Sequence, residues 1–348
     1  MSKKSDKKSS NILKLIFNIL LTIVIILIMC LAVVYFFISN KFNKVEQVQI
    51  EKEELGISEE VEEKLSGFTN IAIFGLDCRK DDYGQGNRRD CIIIASINND
   101  TKEVKLFSVY RDTYVNIEKY GLDKITHAYS YGGAALALNT INKNFDLNIS
   151  EFITVNFDSV SEVVDQLGGV EIEVDAAEVK YINSYISETS KVVGKASEKI
   201  TTPGKYNLNG VQAVSYSRIR YTEGGDYKRA ERMREVIVAI AEKAKTKSLV
   251  ELNKVVDILL PQVSTNITSE FIIKMIPYLM DYKVTNSIGW PYDTRGITLD
   301  RWYGIPVTLE SNVTRLHQEI FGETEYVPSE TVKSISNSII NKTGYRNN

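Results

Sequence analysis

From Leu15 to Ile38 the chain is almost wholly apolar, with only Asn18 and Thr22 as clearly polar breaks. A helix over this run is long enough to cross about 30 Å of hydrocarbon. So long a run favours the membrane over a buried core helix. Signal-peptide cores are shorter and end in a small-x-small cleavage pattern. Here the run ends in Ile38-Ser39-Asn40-Lys41-Phe42, which offers none. Lys3, Lys4, Lys7, Lys8 and Lys14 precede it against Asp6 alone, and basic flanks stay on the cytoplasmic side. Residues 1–14 therefore read as a cytoplasmic basic tail and 15–38 as a transmembrane signal anchor. The protein is expected to pass the cell membrane once, with the rest of the chain extracytoplasmic.

The chain totals 42 Lys+Arg against 45 Asp+Glu, so setting the basic tail aside leaves an acidic bulk. Phosphate backbones are bound by clustered Lys and Arg, and an acidic domain across a membrane from DNA argues against a nucleic-acid partner. Hydrophobic residues at 43% and charged residues at 25% are those of a folded protein. They exclude a disordered or collagenous chain. Cys30 falls within the span; Cys78 and Cys91 are too few for a disulfide framework, and a single bridge between them stays open.

Residues 39–67 are rich in Glu and read as a charged, solvated stem. Short apolar runs at Asn70–Leu76, Cys91–Ile97, Val104–Val109, Phe152–Phe157 and Val170–Val174 read as strands. Asn98-Asn99-Asp100-Thr101 marks a hairpin between the second and third. Gly132-Gly133 opens an apolar helix to about Phe145, and Asp158 caps another carrying Val160, Val163, Val164 and Leu167 at helical spacing. Residues 175–206 read as a polar, irregular excursion. Helices are expected at Leu208–Tyr216, Tyr227–Lys245, Leu249–Leu260, Glu270–Met280 and Asn312–Phe321, with a strand near Ile297–Leu299. Alternation of strands and helices predicts an α/β domain over 68–245, its central, mostly buried sheet sandwiched between helices. Residues 246–348 form a mostly helical C-terminal extension without a motif.

His127 and His317 are the two histidines. No G-x-S-x-G, P-loop or G-x-G-x-x-G sequence is present, nor a zinc-type His/Cys cluster. Chemistry then falls to carboxylates and arginines. Asp77 ends the first strand and Asp90 starts the second; if those strands are antiparallel neighbours, both carboxylates meet at one sheet edge. Such a pair suits Mg²⁺, although strand-end aspartates also serve as turn formers. Arg111 ends the third strand. Arg218, Arg220, Arg229, Arg232 and Arg234 make residues 218–234 locally basic. Guanidinium forks match phosphate oxygens, so the cluster points to a di- or polyphosphate ligand. The alternative is a solvated helix face with pairs such as Glu231–Arg234.

These residues resemble the LytR-CpsA-Psr family of cell-wall glycopolymer transferases over roughly residues 68–245. The matching pieces, in order, are Gly75-Leu76-Asp77, Arg88-Arg89-Asp90 and Arg111-Asp112-Thr113. Next come Lys124–Tyr129 with Tyr131-Gly132-Gly133, and Val155-Asn156-Phe157 with Leu167–Val170. Leu208-Asn209-Gly210 and Arg218–Arg234 close the series. The resemblance implies an α/β domain whose apolar cavity holds a polyprenyl chain. It implies Mg²⁺, or another divalent ion, on Asp77 and Asp90. Arg88, Arg111, Arg218, Arg220 and Arg229 would bind pyrophosphate, and Asp226 would lie near the head group. Asp77, Asp90, Arg111 and Asp226 form the implied catalytic set. The implied reaction moves a glycan phosphate from a polyprenyl pyrophosphate carrier to a peptidoglycan hydroxyl. Asp112 and Asp226 both remain candidates for the base, and Asp112 is the better candidate for holding Arg111. The chain departs from the family pattern at Tyr110, Cys91 and Met233, where Pro, Thr and Gln are common. His127, between strand and helix, is expected to bond locally.

Two other classes share these features. A type II membrane glycosyltransferase has the same tail, span and stem, and Asn148-Ile149-Ser150 and Asn266-Ile267-Thr268 are sequons, but no D-x-D sequence is present. A non-catalytic polyprenyl-phosphate-binding regulator, of the kind labelled a transcriptional attenuator, would need the same arginines without a placed acceptor.

Overall fold

The computed structural model describes residues 45–76 and 89–346. The predicted span 15–38, Asp77, Cys78 and Arg88 lie outside them, and Asp90 is described by its backbone alone. No helix among the described residues is long and apolar enough to cross a membrane.

Along the chain come β1 (Glu46–Gln47), α1 (Glu59–Lys64), β2 (Phe68–Leu76), β3 (Arg89–Asn98) and β4 (Glu103–Val109). A small hairpin, β5 (Tyr114–Ile117) and β6 (Gly121–Lys124), leads into α2 (Ile125–Phe145), β7 (Glu151–Asn156), α3 (Phe157–Gln166) and β8 (Val170–Val174). Then follow α4 (Ala176–Val193), β9 (Gly204–Leu208), α5 (Gly210–Arg218), α6 (Gly225–Lys245), α7 (Leu249–Leu259) and β10 (Ser264–Thr265). The short helix α8 (Ser269–Met275) lies in a separate unit, Thr268–Pro277, where the Thr268 side chain caps it by accepting from the Phe271 amide. β11 (Lys283–Trp290), β12 (Thr294–Thr298), β13 (Trp302–Pro306), α9 (Leu309–Phe321) and α10 (Glu330–Thr343) complete the main body.

Seven strands form one mixed sheet in the order β1-β10-β7-β2-β3-β4-β11. The β3–β4 turn forms as its sequence predicts: Asn98 Oδ1 accepts from the Asp100 and Thr101 amides. Side chains alternate across the sheet. Ala72, Phe74, Ile92, Ile94 and Phe152 pack into a core with α2, α9 and α10. Ile73, Gly75, Cys91, Ile153 and Val155 face the opposite side, where they line a cavity. Both faces are thus buried, which is why these strands read as continuous apolar runs rather than as alternating ones.

Four segments differ from their sequence reading. The supposed solvated stem packs from Val45 onward: Leu55, Val61 and Leu65 are buried in the core, and β1 pairs with β10. Glu51, Glu53, Glu54, Glu59, Glu60 and Glu63 stay exposed on its outer face. The supposed excursion 175–206 contains α4, capped by Asp175 through a reciprocal box with Glu178, and buries Ile182 and Ile186. A narrow apolar stripe among many polar residues hid it. The helix expected from Gly132 starts instead at Ile125 and is kinked at Gly132-Gly133, since Gly133 has φ +66° and ψ −158°. The C-terminal segment also does more than extend the domain. β11 is the edge partner of β4, and Trp290, Ile305, Leu309, Leu316 and Val332 are buried in the same core as the sheet.

Candidate active site

On the cavity side of the sheet, α3, α4, α5 and α6 enclose a space of about 450 Å³. Ile73, Val155, Val160, Val214, Val236 and Ile240 give it apolar walls, and Arg218, Arg220 and Arg229 also line it. An apolar volume with a few convergent cations is the form expected of a site for a ligand with an oily body and an anionic head.

The arginines are positioned by local structure. α5 ends at Arg218, and the next residue, Ile219, is fully buried. Arg218 and Arg220 therefore flank a buried anchor. Arg218 lies over the Phe157 ring at 5.0 Å and donates to Thr189 Oγ1 at 3.0 Å. Arg229 sits one turn into α6 and is only 4% exposed. Asp226, in the first turn of α6, gathers the set. Its carboxylate lies 3.3 Å from Arg229 Nε, 3.4 Å from Arg220 Nε and 3.8 Å from Arg111 Nε. A helix N-terminus favours negative charge at that place. Arg111 Nε donates to Asp112 Oδ2 at 3.3 Å, and Lys124 Nζ donates to Asp112 Oδ1 at 2.6 Å. Asp112 is thus a clamp for two cations, the positioning role anticipated for it.

A second cleft of about 290 Å³ lies beside the first, and Cys91, Arg229 and Met233 line both. Tyr110, Asp112, Asp226, Tyr227 and Trp302 line the second. The Tyr110 and Tyr227 rings meet edge to face at 4.4 Å. Burial pushes both phenols above their usual range, so they stay protonated donors. The three positions that depart from the family pattern, Tyr110, Cys91 and Met233, therefore all line one or both cavities.

The remaining arginines of the basic segment are structural. Arg232, 1% exposed, donates to Glu178 Oε1 at 2.7 Å, to the Ile219 carbonyl at 3.0 Å and to Thr222 Oγ1 at 2.7 Å. Arg234 donates to Ser287 Oγ at 2.9 Å and to Ser108 Oγ, tying α6 to β4 and β11. Glu231 pairs with Lys228 rather than with Arg234.

Of the predicted site residues, Arg111, Arg218, Arg220, Arg229 and Asp226 gather around the two cavities; Asp77 and Arg88 lie outside the described residues. The β2–β3 pairing is antiparallel, with Gly75 opposite Cys91 and Leu76 opposite Arg89 across a bulge. The end of β2 and the start of β3 therefore share one sheet edge. Among the described residues no group of three or more His, Cys, Asp or Glu side chains is arranged to hold a metal. His127 Nδ1 donates to Asp123 Oδ2 at 2.8 Å, a local bond. His317 is buried, with Nε2 3.0 Å from the Phe145 carbonyl. Sequence reasoning missed Lys124 as a clamp, Tyr185 and Glu188 on α4, and Trp302. The Asp175-x-x-Glu178 box was the signal that could have found α4.

Residues 33–293 match the LytR_cpsA_psr family. The chain is 30% identical over 238 residues to a polyisoprenyl-teichoic acid–peptidoglycan teichoic acid transferase, TagU, of Enterococcus faecalis, covering 68% of this chain and 72% of that one. It is 29% identical over 234 residues to the corresponding TagT of Bacillus subtilis, covering 66% and 70%. Among solved structures, it is similar to the LytR-CPS2A-psr family protein YwtF (TagT) with bound octaprenyl pyrophosphate lipid. The TM-score is 0.51 at 21% identity, over 81% of this chain and 92% of that one.

Proposed function

Because the chain belongs to the LytR_cpsA_psr family, we propose that it transfers a glycan phosphate from a polyprenyl pyrophosphate carrier to a hydroxyl of peptidoglycan. The observation that carries this reading is the apolar cavity lined by Arg218, Arg220 and Arg229. Its walls suit a polyprenyl chain, and its guanidinium groups suit a pyrophosphate. The relatives named for teichoic acid make that polymer the first donor to test.

In the step, the acceptor hydroxyl oxygen forms a bond to the glycan-side phosphorus. The bond from that phosphorus to the bridging oxygen breaks, and polyprenyl phosphate leaves with the electron pair. Arg218, Arg220 and Arg229 neutralise charge on the departing phosphate, and positioning with charge neutralisation is most of what phosphoryl transfer requires. The hydroxyl proton passes to Asp226. Asp112, hydrogen-bonded to both Lys124 and Arg111, is assigned to holding Arg111 in place. An arriving pyrophosphate competes for the arginines that Asp226 holds and so frees that carboxylate for the hydroxyl.

Asp77 and Asp90 would hold Mg²⁺. The register that sets Leu76 opposite Arg89 supports this, as does the chemistry of the donors, since carboxylates are the hard ligands that Mg²⁺ takes. When bound, the ion would offset negative charge on the phosphates. Residues 15–38 would anchor the enzyme in the cell membrane beside its lipid donor, with the domain extracytoplasmic.

The test incubates the full chain with Mg²⁺, a polyprenyl pyrophosphate glycan and peptidoglycan oligomers, and looks by mass for a glycan phosphate on the oligomer. Product is expected, and it should vanish with Asp90→Ala and with a chelator. Lipid binding without product would favour a sensor; absence of lipid binding would sink the ligand assignment of the arginines.

A further inference from the structure

Two concavities share one wall. Arg229 and Met233, a turn apart on α6, line both the apolar cavity and the second cleft. If the donor lipid fills the first, its phosphates lie at that wall, beside Arg229. In-line displacement brings the attacking oxygen from the side opposite the leaving group. The second cleft meets the apolar cavity at that same wall and would admit a second reactant there.

The far wall of the cleft comes from the C-terminal hairpin β12–β13, far in sequence from the arginine motifs. Thr294, Trp302 and Gly304 line it. This hairpin is stitched to the Arg111-Asp112-Thr113 loop: the Gly304 amide donates to the Asp112 carbonyl at 2.9 Å, and Thr113 bridges to Gly304. Tyr227 and Thr294 both line the cleft.

Trp302 is built as a platform. A Cβ placed on Gly296 would fall 2.8 Å from Trp302 Nε1, and one on Gly304 would fall 3.6 Å from its Cη2. The indole therefore rests across two glycines, and the residue remains 45% exposed. An open aromatic face beside hydrogen-bonding phenols suits a ring with one apolar face and a hydroxyl rim, which is a sugar.

We infer that the second cleft is the acceptor subsite, and that Trp302 stacks on a sugar ring of the acceptor glycan strand so that a hydroxyl reaches the wall at Arg229. This deepens the proposed transferase reading and rests on it. Trp302 is here a specificity-determining residue.

The chain has two tryptophans, and Trp290 is fully buried, so Trp302 reports its own site. Titrating the full chain with a peptidoglycan glycan-strand oligomer is expected to shift the Trp302 emission to shorter wavelength, and Trp302→Phe to abolish that signal. By calorimetry Trp302→Ala is expected to weaken oligomer binding at least tenfold, with Trp302→Phe recovering most of it. In the transfer assay Trp302→Ala should raise the KM for the oligomer at least tenfold while donor lipid affinity stays that of the wild type. Wild-type oligomer affinity in Trp302→Ala, or a loss of donor affinity in that variant, would overturn the inference. If the wild type binds the oligomer through Trp302 yet yields no transfer product, the transferase reading fails and the glycan subsite stands.

Discussion

Asp226 draws three guanidinium groups to within 4 Å, at 3.3, 3.4 and 3.8 Å. If its later task is to take the acceptor proton, Asp226→Asn should lower kcat by about 10²-fold or more. Donor affinity should stay the same or rise, because the arginines lose a competing anion. Single-turnover kinetics beside lipid-binding titration separates the two effects. A loss confined to donor affinity would assign Asp226 to scaffolding instead. Asp123 supports a pH prediction. Burial pushes its carboxyl upward, but hydrogen bonds from His127, Tyr131 and the Lys124 amide outweigh this and leave it below its ordinary value of 3.8. A carboxylate depressed in the fold contributes stability that is complete above its unfolded pKa, and that stability is lost as pH falls through the folded value. Urea midpoints measured from pH 7 down to pH 3 should therefore fall less in Asp123→Asn than in the wild type.

Two contacts between helices hold the cavity walls. The N-terminus of α5 lies against α3 so closely that a Cβ on Gly210 would fall 2.0 Å from the Ser161 carbonyl oxygen, while the Gly210 amide donates to Asp165 Oδ1 at 2.7 Å. Backbone cannot yield as a side chain does, so Gly210→Ala should cost about 1–3 kcal/mol in chemical denaturation. Unchanged stability would mean that α5 slides freely. The buried Arg232–Glu178 pair fastens α6 to α4 with a 2.7 Å bond. Arg232→Ala leaves a carboxylate buried without its partner and should cost about 3–5 kcal/mol. The double variant Arg232→Met with Glu178→Gln should recover part of that loss. Recovery in a double-mutant cycle would show that the penalty lies in the stranded charge.

At the scale of the molecule, the C-terminal third is part of the domain that carries the site. β11 completes the sheet edge beside β4 and α9 buries Leu309, Val313 and Leu316 in the shared core. A chain ended after Asp281 loses that edge strand, Trp290 and two core helices, and should show no cooperative unfolding transition by circular dichroism. A cooperative transition in that fragment would mean that residues 45–281 fold alone. The hairpin β12–β13 shows why this matters for function, since it closes the second cleft against the Arg111–Thr113 loop.

The central strands were legible because both faces of the sheet are buried, so their residues form dense apolar runs. The arginines of the cavity were legible as residue types, because few side chains recognise phosphate so well. Residue type and spacing alone did not divide them by role; only the family resemblance singled out Arg218, Arg220 and Arg229. Arg218, Arg220 and Arg229 differ from Arg232 and Arg234 only in which way each side chain leaves its helix or loop, and in what waits there. Glu178 and Ser287 lie 54 and 53 residues away from the arginines they hold. α4 was hidden because a stripe of Ile182 and Ile186 buries one face while the polar face dominates its composition. Trp302 carried no local signal at all, since its meaning depends on the pairing that brings Gly304 to Asp112. Local chemistry, set by side-chain type and spacing, is written in the chain itself. Which of those groups share a cavity is decided by contacts between distant segments, whose energies are settled only when the whole core closes.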